Sequence, residues 1–304
     1  MRTRQEAKRL HTQLTIVLAI GILSVSTAAI LIRLATNTAG TSTVGFSLVL
    51  AASRLSIAAF TLIPTWRSFQ PSSPTAVKFA IGAGIALAVH FAAWISSLSF
   101  TSITASTTLV TTNPIWVAIV SWIWFKDKPS RATFWGIAIA MIGGMLIGFN
   151  STSQGGTNPL LGNGLAIVGA WAASFYLLLG TEAQRRGLSV KSYIAIAYSV
   201  AAIALFPLPF LFGASYLGYP SATYLCILLL AIFPQLIGHT SFNWAMRHLP
   251  PTIVTLIILL EPVGSTILAI AFFRELPGIQ VIFGAIVLLV GVAVAILGNS
   301  EKVS

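Results

Sequence analysis

Only six of the 304 residues are acidic, and one of them, Glu261, sits mid-way along an apolar run, directly before Pro262. If that run crosses a membrane, an ionised side chain at its centre costs at least ~2.5 kcal/mol on insertion scales. A carboxylate there needs a task, such as holding a cationic group or carrying a proton. A second polar residue before a proline, Asn113-Pro114, occupies another apolar run. Each proline removes a backbone donor, so the carbonyls of Val110 and Ile258 lose their helical partners. Free carbonyls beside a polar side chain at mid-membrane suit a ligand site or a gate. A packing kink is the alternative, since proline is common in membrane helices.

His90 and His239 fall in two further apolar runs. An imidazole can donate, accept or carry a proton near neutral pH, or it can simply be satisfied by a neighbouring hydroxyl or carbonyl. Trp94, Trp116, Trp171 and Trp244 are not assigned to an interfacial belt. Trp116 follows Asn113 by three residues, which predicts a shared helix face. Trp244 follows Asn243, five residues past His239. Aromatic rings with a few polar groups describe a small-molecule pocket, and lipid-facing or packing tryptophans are the alternative. Arg54, central in its own run, could form an ion pair with Glu261, touch loop carbonyls or snorkel outward. Ser26 and Ser174 are small enough to allow close helix approach, and packing is their expected role.

The elements that must position these residues follow from composition. The chain is 56% hydrophobic and 8% charged, with a mean hydropathy of +0.91. A soluble domain carries roughly 25% charged residues, so this composition excludes a soluble enzyme and a disordered protein. The net charge of +11 could suggest nucleic acid as a partner, but no water-facing surface is left to present it. The single cysteine, Cys226, permits neither an internal disulfide nor a multi-cysteine metal cluster. The expected partners are the lipid bilayer and a small-molecule substrate.

A helix crossing the bilayer needs about 20 apolar residues. Windows of that size predict ten spans, at roughly 14–35, 44–66, 78–99, 103–125, 132–149, 162–182, 192–213, 222–246, 251–273 and 279–298. The first has a basic preface but is too long for a signal-peptide core and shows no clear cleavage site. With the N-terminus in the cytoplasm, 14 of the 17 Lys and Arg residues fall on the cytoplasmic side, and Arg274 alone falls opposite. Arg33 and Arg54 lie inside spans, Arg33 near an outer end where it can snorkel. Trp66, Trp122, Trp124 and Trp135 fall at the cytoplasmic edge, as an interfacial belt should. These positions predict a multi-pass protein of the cytoplasmic (inner) membrane with both termini inside.

Sliding the chain by 148 residues lays 103–151 over 251–299 without a gap. Pro114 meets Pro262, Pro129 meets Pro277, Gly136 meets Gly284, Gly143 meets Gly291, and Lys126-Asp127 meets Arg274-Glu275. Ser26 and Ser174 correspond under the same shift, while His90 meets Gly238 and so misses His239 by one. The predicted units are 1–149 and 150–304, the second opening with the polar stretch Asn150–Asn158. Five spans per unit, an odd number, would put the second half into the membrane upside down. The fold class is thus an all-α polytopic membrane protein of ten transmembrane helices in two five-helix inverted-topology repeats. Such repeats recur in secondary transporters. Asp127 and Glu275 lie at helix ends beside prolines, where capping is the expected role.

The segments TLVTTNPIWVAIVSWIWFKDKPS and TLIILLEPVGSTILAIAFFRELPG, in a chain of ten short spans, resemble the EamA family of the drug/metabolite transporter superfamily. The mid-span proline and the acid past the span, Pro114 with Asp127 and Pro262 with Glu275, carry the likeness. HFAAWISSLSFTSITAS and PQLIGHTSFNWAMRHLP resemble one bacterial branch. The resemblance implies a central cavity, alternating access by the two halves, and efflux of an amino acid or another small metabolite.

The expected cavity residues are Glu261, Asn113, His90, His239, Asn243, Trp94, Trp116 and Trp244, with Pro114 and Pro262 as kinks. Glu261 would hold a substrate amine or a coupling proton, the histidines and Asn113 would orient polar groups, and the tryptophans would enclose the apolar part. No phosphate-binding loop and no domain for ATP hydrolysis is visible, so a gradient or the substrate itself must supply the energy. No cofactor and no metal is expected, and an oligomer is not required. Exchange of anionic or phosphorylated metabolites is the alternative, supported by Arg54 alone. An intramembrane enzyme built on Glu261 and the histidines is opposed by the absence of HExxH-like spacing.

Overall fold

The computed structural model describes residues 4–67, 73–101, 103–126, 128–149, 157–274 and 278–300. Asp127, Glu275 and most of the 150–158 stretch lie outside the described residues. All regular structure among the described residues is helical. The helices are α1 (Arg4–Ala39), α2 (Val44–Thr61), α3 (Pro74–Ser97), α4a (Ile103–Val110), α4b (Asn113–Phe125), α5 (Arg131–Phe149), α6 (Pro159–Arg185) and α7 (Val190–Leu205). They continue with α8 (Ser221–Ala245), α9a (Pro251–Ile258), α9b (Glu261–Phe273) and α10 (Ile279–Ser300).

Local chemistry sets the starts. Thr43, Ser73, Asn158 and Ser189 cap α2, α3, α6 and α7, each accepting a hydrogen bond from the backbone N–H three residues on. Proline opens α3, α6 and α9a, where its missing N–H leaves no helical acceptor unpaired. Among the described residues, seven helical stretches are long and apolar enough to cross a membrane, and Asn113–Trp124, Arg131–Leu146 and Ile282–Ala295 are shorter apolar helices. The outer surface carries large apolar side chains, including Leu23, Trp135, Ile203 and Phe272. Trp66, Trp122, Trp124 and Trp135 are all exposed. This is a multi-pass membrane surface.

Two matched breaks interrupt the bundle. α4a ends at Val110 and α4b starts at Asn113, while α9a ends at Ile258 and α9b starts at Glu261. Both pairs are separated by 148 residues. Pro114 and Pro262 therefore stand in the first turn of a new helix, a position that tolerates them. The far ends match too, because Lys126 and Arg274 cap α4b and α9b in the left-handed conformation, with φ of 57° and 54°.

The predicted span at 192–213 corresponds to the apolar stretch Val190–Leu211, which is interrupted: α7 stops at Leu205, before Pro207, and a short turn of helix follows at Leu208–Leu211. In α8, residues Ala231–His239 wind as a π-helix around Pro234. A proline inside a helix crowds the carbonyl four residues back, and the wider π turn relieves that contact. π segments of this kind often mark functional sites.

α3 packs along α6, and α8 along α1. α4 leans on α6 and α9 on α1, while α2 meets α7 and α5 meets α10. A large core joins α1, α2, α3, α6, α7 and α8, and a smaller one joins α5, α9a and α10. The α5–α10 crossing is tight: a Cβ on Gly143 would collide with the backbone of Leu288, and one on Gly291 with the backbone of Ala140. Hydrocarbon gives apolar side chains no advantage inside the protein, so close backbone contact through glycine holds such pairs together.

Candidate functional site

A cavity of about 60 Å³ lies where the two broken helices meet α1, α2, α3, α6 and α8. Glu261, Asn113, His90, His239, Trp94 and Arg54 all line it. Residues separated by 148 positions pair around it: Val25 with Ala173, Ala28 with Tyr176, Trp94 with Phe242, Val110 with Ile258, and Asn113 with Glu261. Its volume matches about two waters, well below the ~300 Å³ at which metabolite pockets begin, so the walls must part to admit a solute.

The two breaks are clamped alike. Ser26 donates to the Ile22 carbonyl of its own helix at 2.8 Å and faces the Glu261 carbonyl at 3.4 Å. Ser174 does the same with Ala170 at 2.8 Å and with the Asn113 carbonyl at 3.5 Å. α9b sits closer to its clamp than α4b does. The Ser265 hydroxyl donates to the Ser26 carbonyl at 3.0 Å, and a Cβ on Gly264 would strike the Ser26 side chain.

Arg54 is 1% exposed, and none of its three guanidinium nitrogens has a hydrogen-bond partner among the described residues. Its Cζ lies 4.2 Å from the centre of the Phe91 ring. A desolvated cation–π contact is worth about 2 kcal/mol, less than the several kcal/mol that burying an ion costs after relaxation. The expected ion pair with Glu261 is not made as a direct contact, although both side chains line the same cavity. Arg54 extends from α2 onto the Phe91 ring of α3, and its guanidinium is taken up there.

His90 Nδ1 lies 2.9 Å from the Gly169 carbonyl. A carbonyl can only accept, so Nδ1 carries the hydrogen, and Nε2 of the uncharged ring is an acceptor. The ring stacks on Trp94, with centroids 5.8 Å apart. His239 meets Phe91 and Tyr176 edge-on at 5.5 and 6.3 Å. Trp94 Nε1 and Asn113 Oδ1 are buried and unpaired among the described residues.

Three expected residues do not line the cavity. Trp116 turns back to donate to Thr112 at 3.1 Å and packs edge-on against the exposed Trp171. Helical side chains lean toward the N-terminus, and Asn113 starts its helix, so the shared face does not carry both to one place. The π segment shifts the phase of α8, which sends Trp244 to His248 at 4.8 Å. Asn243 is fully buried, donates to the Tyr176 hydroxyl at 2.6 Å, and accepts from Gln184 through its carbonyl.

Two larger cavities flank the central one. One, of about 240 Å³, is lined by Arg33, Asn37, Ser42 and Ser47 and shares Trp94 with the centre. The other, of about 380 Å³, is lined by Gln184, Arg185, Arg247 and His248. Between it and the centre runs the chain Gln184–Asn243–Tyr176, whose Tyr176 lines the central cavity. Trp94 thus stands in the wall toward the first, and a hydrogen-bonded network in the wall toward the second.

A family model for EamA-like transporters matches residues 13–149 and again 160–297. The chain belongs to the EamA-like transporter family. A Clostridium kluyveri protein described as an uncharacterized transporter is 23% identical over 212 residues, covering 67% of each chain. The uncharacterized transporter YetK of Bacillus subtilis is 26% identical over 186 residues, covering 59% of this chain and 55% of YetK. A solved crystal structure superposes with a TM-score of 0.75 over 96% of this chain and 99% of its own, at 17% identity, which shows a shared fold. In this EamA chain, Tyr176, Phe91 and Thr111 escaped the sequence reading.

Proposed function

We propose that this membrane transporter is a secondary transporter that moves a small polar or amphipathic metabolite, such as an amino acid, by alternating access around the central cavity. The observation that carries the reading is the cavity itself. It holds the deep acid, both histidines and the breaks of two helices, and separate partitions divide it from two flanking cavities. Opening the Trp94 partition would connect it with the Arg33 side, and opening the Tyr176–Asn243–Gln184 partition with the Arg185 and Arg247 side.

Ten spans in two inverted five-helix repeats, divided near residue 150, underlie this reading. The family model matches each half separately. Packing repeats under exchange of the halves, with α3 on α6 answered by α8 on α1, and α4 on α6 answered by α9 on α1. The lining residues pair at the same 148-residue offset. In this reading both termini are cytoplasmic and the Arg185 cavity faces inward; export is proposed by family analogy alone. Glu261 carries the substrate amine or a coupling proton.

Reconstitution into liposomes, with uptake and efflux of a metabolite panel measured with and without a pH gradient, tests the reading. Movement of an amino acid or amphipathic solute is expected. No movement of any solute in either direction would refute transport around this cavity.

A further inference from the structure

Arg54 is the largest fully buried side chain, and the ring of Phe91 does not offset the cost of its desolvation. The unpaired groups around the cavity divide by type. The donors are the guanidinium of Arg54 and the indole N–H of Trp94, and the acceptor is Asn113 Oδ1. Glu261 and the acceptor nitrogen of His90 add to the second set. A planar fork of N–H groups matches a carboxylate in two parallel bonds.

We propose that Arg54 is the receptor for a carboxylate on the transported solute. The words "transported solute" rest on the function proposed above, while the receptor chemistry rests on the cavity alone. One cation and one acid in the cavity suit a zwitterion, with its carboxylate on Arg54 and its ammonium group toward Glu261 and Asn113. A phosphate monoester carries about −1.5 to −2 charges. It would meet a single cation and be repelled by Glu261, so the anion is a carboxylate. The apolar remainder of the solute would lie against Trp94 and Phe242, which also line the cavity.

The test begins with wild-type protein purified in detergent and melted with each proteinogenic amino acid, since a ligand of the folded state raises the midpoint. The strongest stabiliser is then compared with its decarboxylated amine, its deaminated acid and glucose 6-phosphate. We expect the amine to bind at least about 30-fold more weakly than the parent and the deaminated acid to keep part of the affinity. In Arg54→Met the amino acid should no longer stabilise. The unliganded variant should melt a few degrees above wild type, because an undercompensated buried charge has gone. Arg54→Lys should restore part of the binding.

Equal binding of amine and parent, undiminished binding by Arg54→Met, or preference for the sugar phosphate would overturn the proposal. So would the absence of stabilisation by any amino acid, or an Arg54→Met variant that melts well below wild type and so assigns Arg54 to the fold. Liposome transport of the same compounds separates the two readings. Carboxylate-dependent stabilisation without movement of any solute would sink transport and leave the receptor standing. Transport that ignores the carboxylate would do the reverse.

Discussion

The breaks in α4 and α9 share a geometry and differ in chemistry. Each starts its second segment at a polar residue followed by proline, each has a serine from the other half against its first carbonyl, and each ends in a left-handed basic cap. Yet one presents the amide of Asn113 and the other the carboxylate of Glu261. At the next turn Trp116 faces Trp171 near the surface, whereas Gly264 lets α9b close onto Ser26. Across the cavity Tyr176 faces from the position matching Ala28, and Asn243 stands where the first half has Ile95. The backbone geometry of the two breaks is thus duplicated, while the side chains they present to the cavity differ; under the proposed transport reading, such a difference would let one asymmetric solute bind between two similar halves.

The largest expected effect separates the two break residues. Glu261→Gln should lower transport roughly 10- to 100-fold, the range for hydrogen bonds to charged groups, and should remove stimulation by a pH gradient. Asn113→Ala should lower it roughly 2- to 10-fold and leave that stimulation in place. Proteoliposome flux at several imposed gradients measures both, and equal losses would erase the division of labour. Next comes Gly264→Ala, which should destabilise by about 1–3 kcal/mol through overpacking against Ser26. Trp116→Ala, at the matching position, should be milder because that indole is half exposed. Thermal unfolding in detergent ranks them, and a reversed order would show that α9b is not the more tightly held segment.

A smaller loss is expected from Tyr176→Phe, which removes the hydroxyl that Asn243 reaches and should cost about 1 kcal/mol. If the network acts as a partition, the variant should also admit a thiol reagent more readily to a cysteine placed at Ala173, in the cavity wall. Unchanged labelling would remove the network from gating. Smallest of all, Ser26→Ala and Ser174→Ala should each cost about 0.5 kcal/mol, and by similar amounts, since both cross-half contacts are long. A large inequality in unfolding midpoints would mean that the scaffold is not symmetric after all.

Much of the lining of the central cavity was legible because membranes make polarity expensive. Glu261, Asn113, His90, His239, Arg54 and Trp94 stood out as polar or aromatic residues in apolar runs, and all line one cavity. Trp116, Trp244 and Asn243 were misplaced by helical phase. A face extrapolated across Asn113 ignored that the helix begins there, and one extrapolated across His239 ignored the π turn around Pro234. The proline was visible in the sequence, but its consequence for register was not, because a widened turn, a kink and a break all satisfy the same missing donor. Tyr176 and Phe91 looked like ordinary apolar lining and gained meaning only from the Asn243 and Arg54 groups packed against them.

The sequence by itself determined the membrane class, the two matched segments, the positions of both breaks and the family resemblance. Each depends on polarity, proline and spacing along one strand of chain, where hydrocarbon leaves few alternatives. The tertiary structure decided which polar groups meet. It left Arg54 on Phe91 instead of on Glu261, set Trp94 and Tyr176 on opposite partitions, and brought Ser26 to Glu261 across 235 residues. Those choices turn on helix phase and on contacts between the two halves, and no local pattern encodes either.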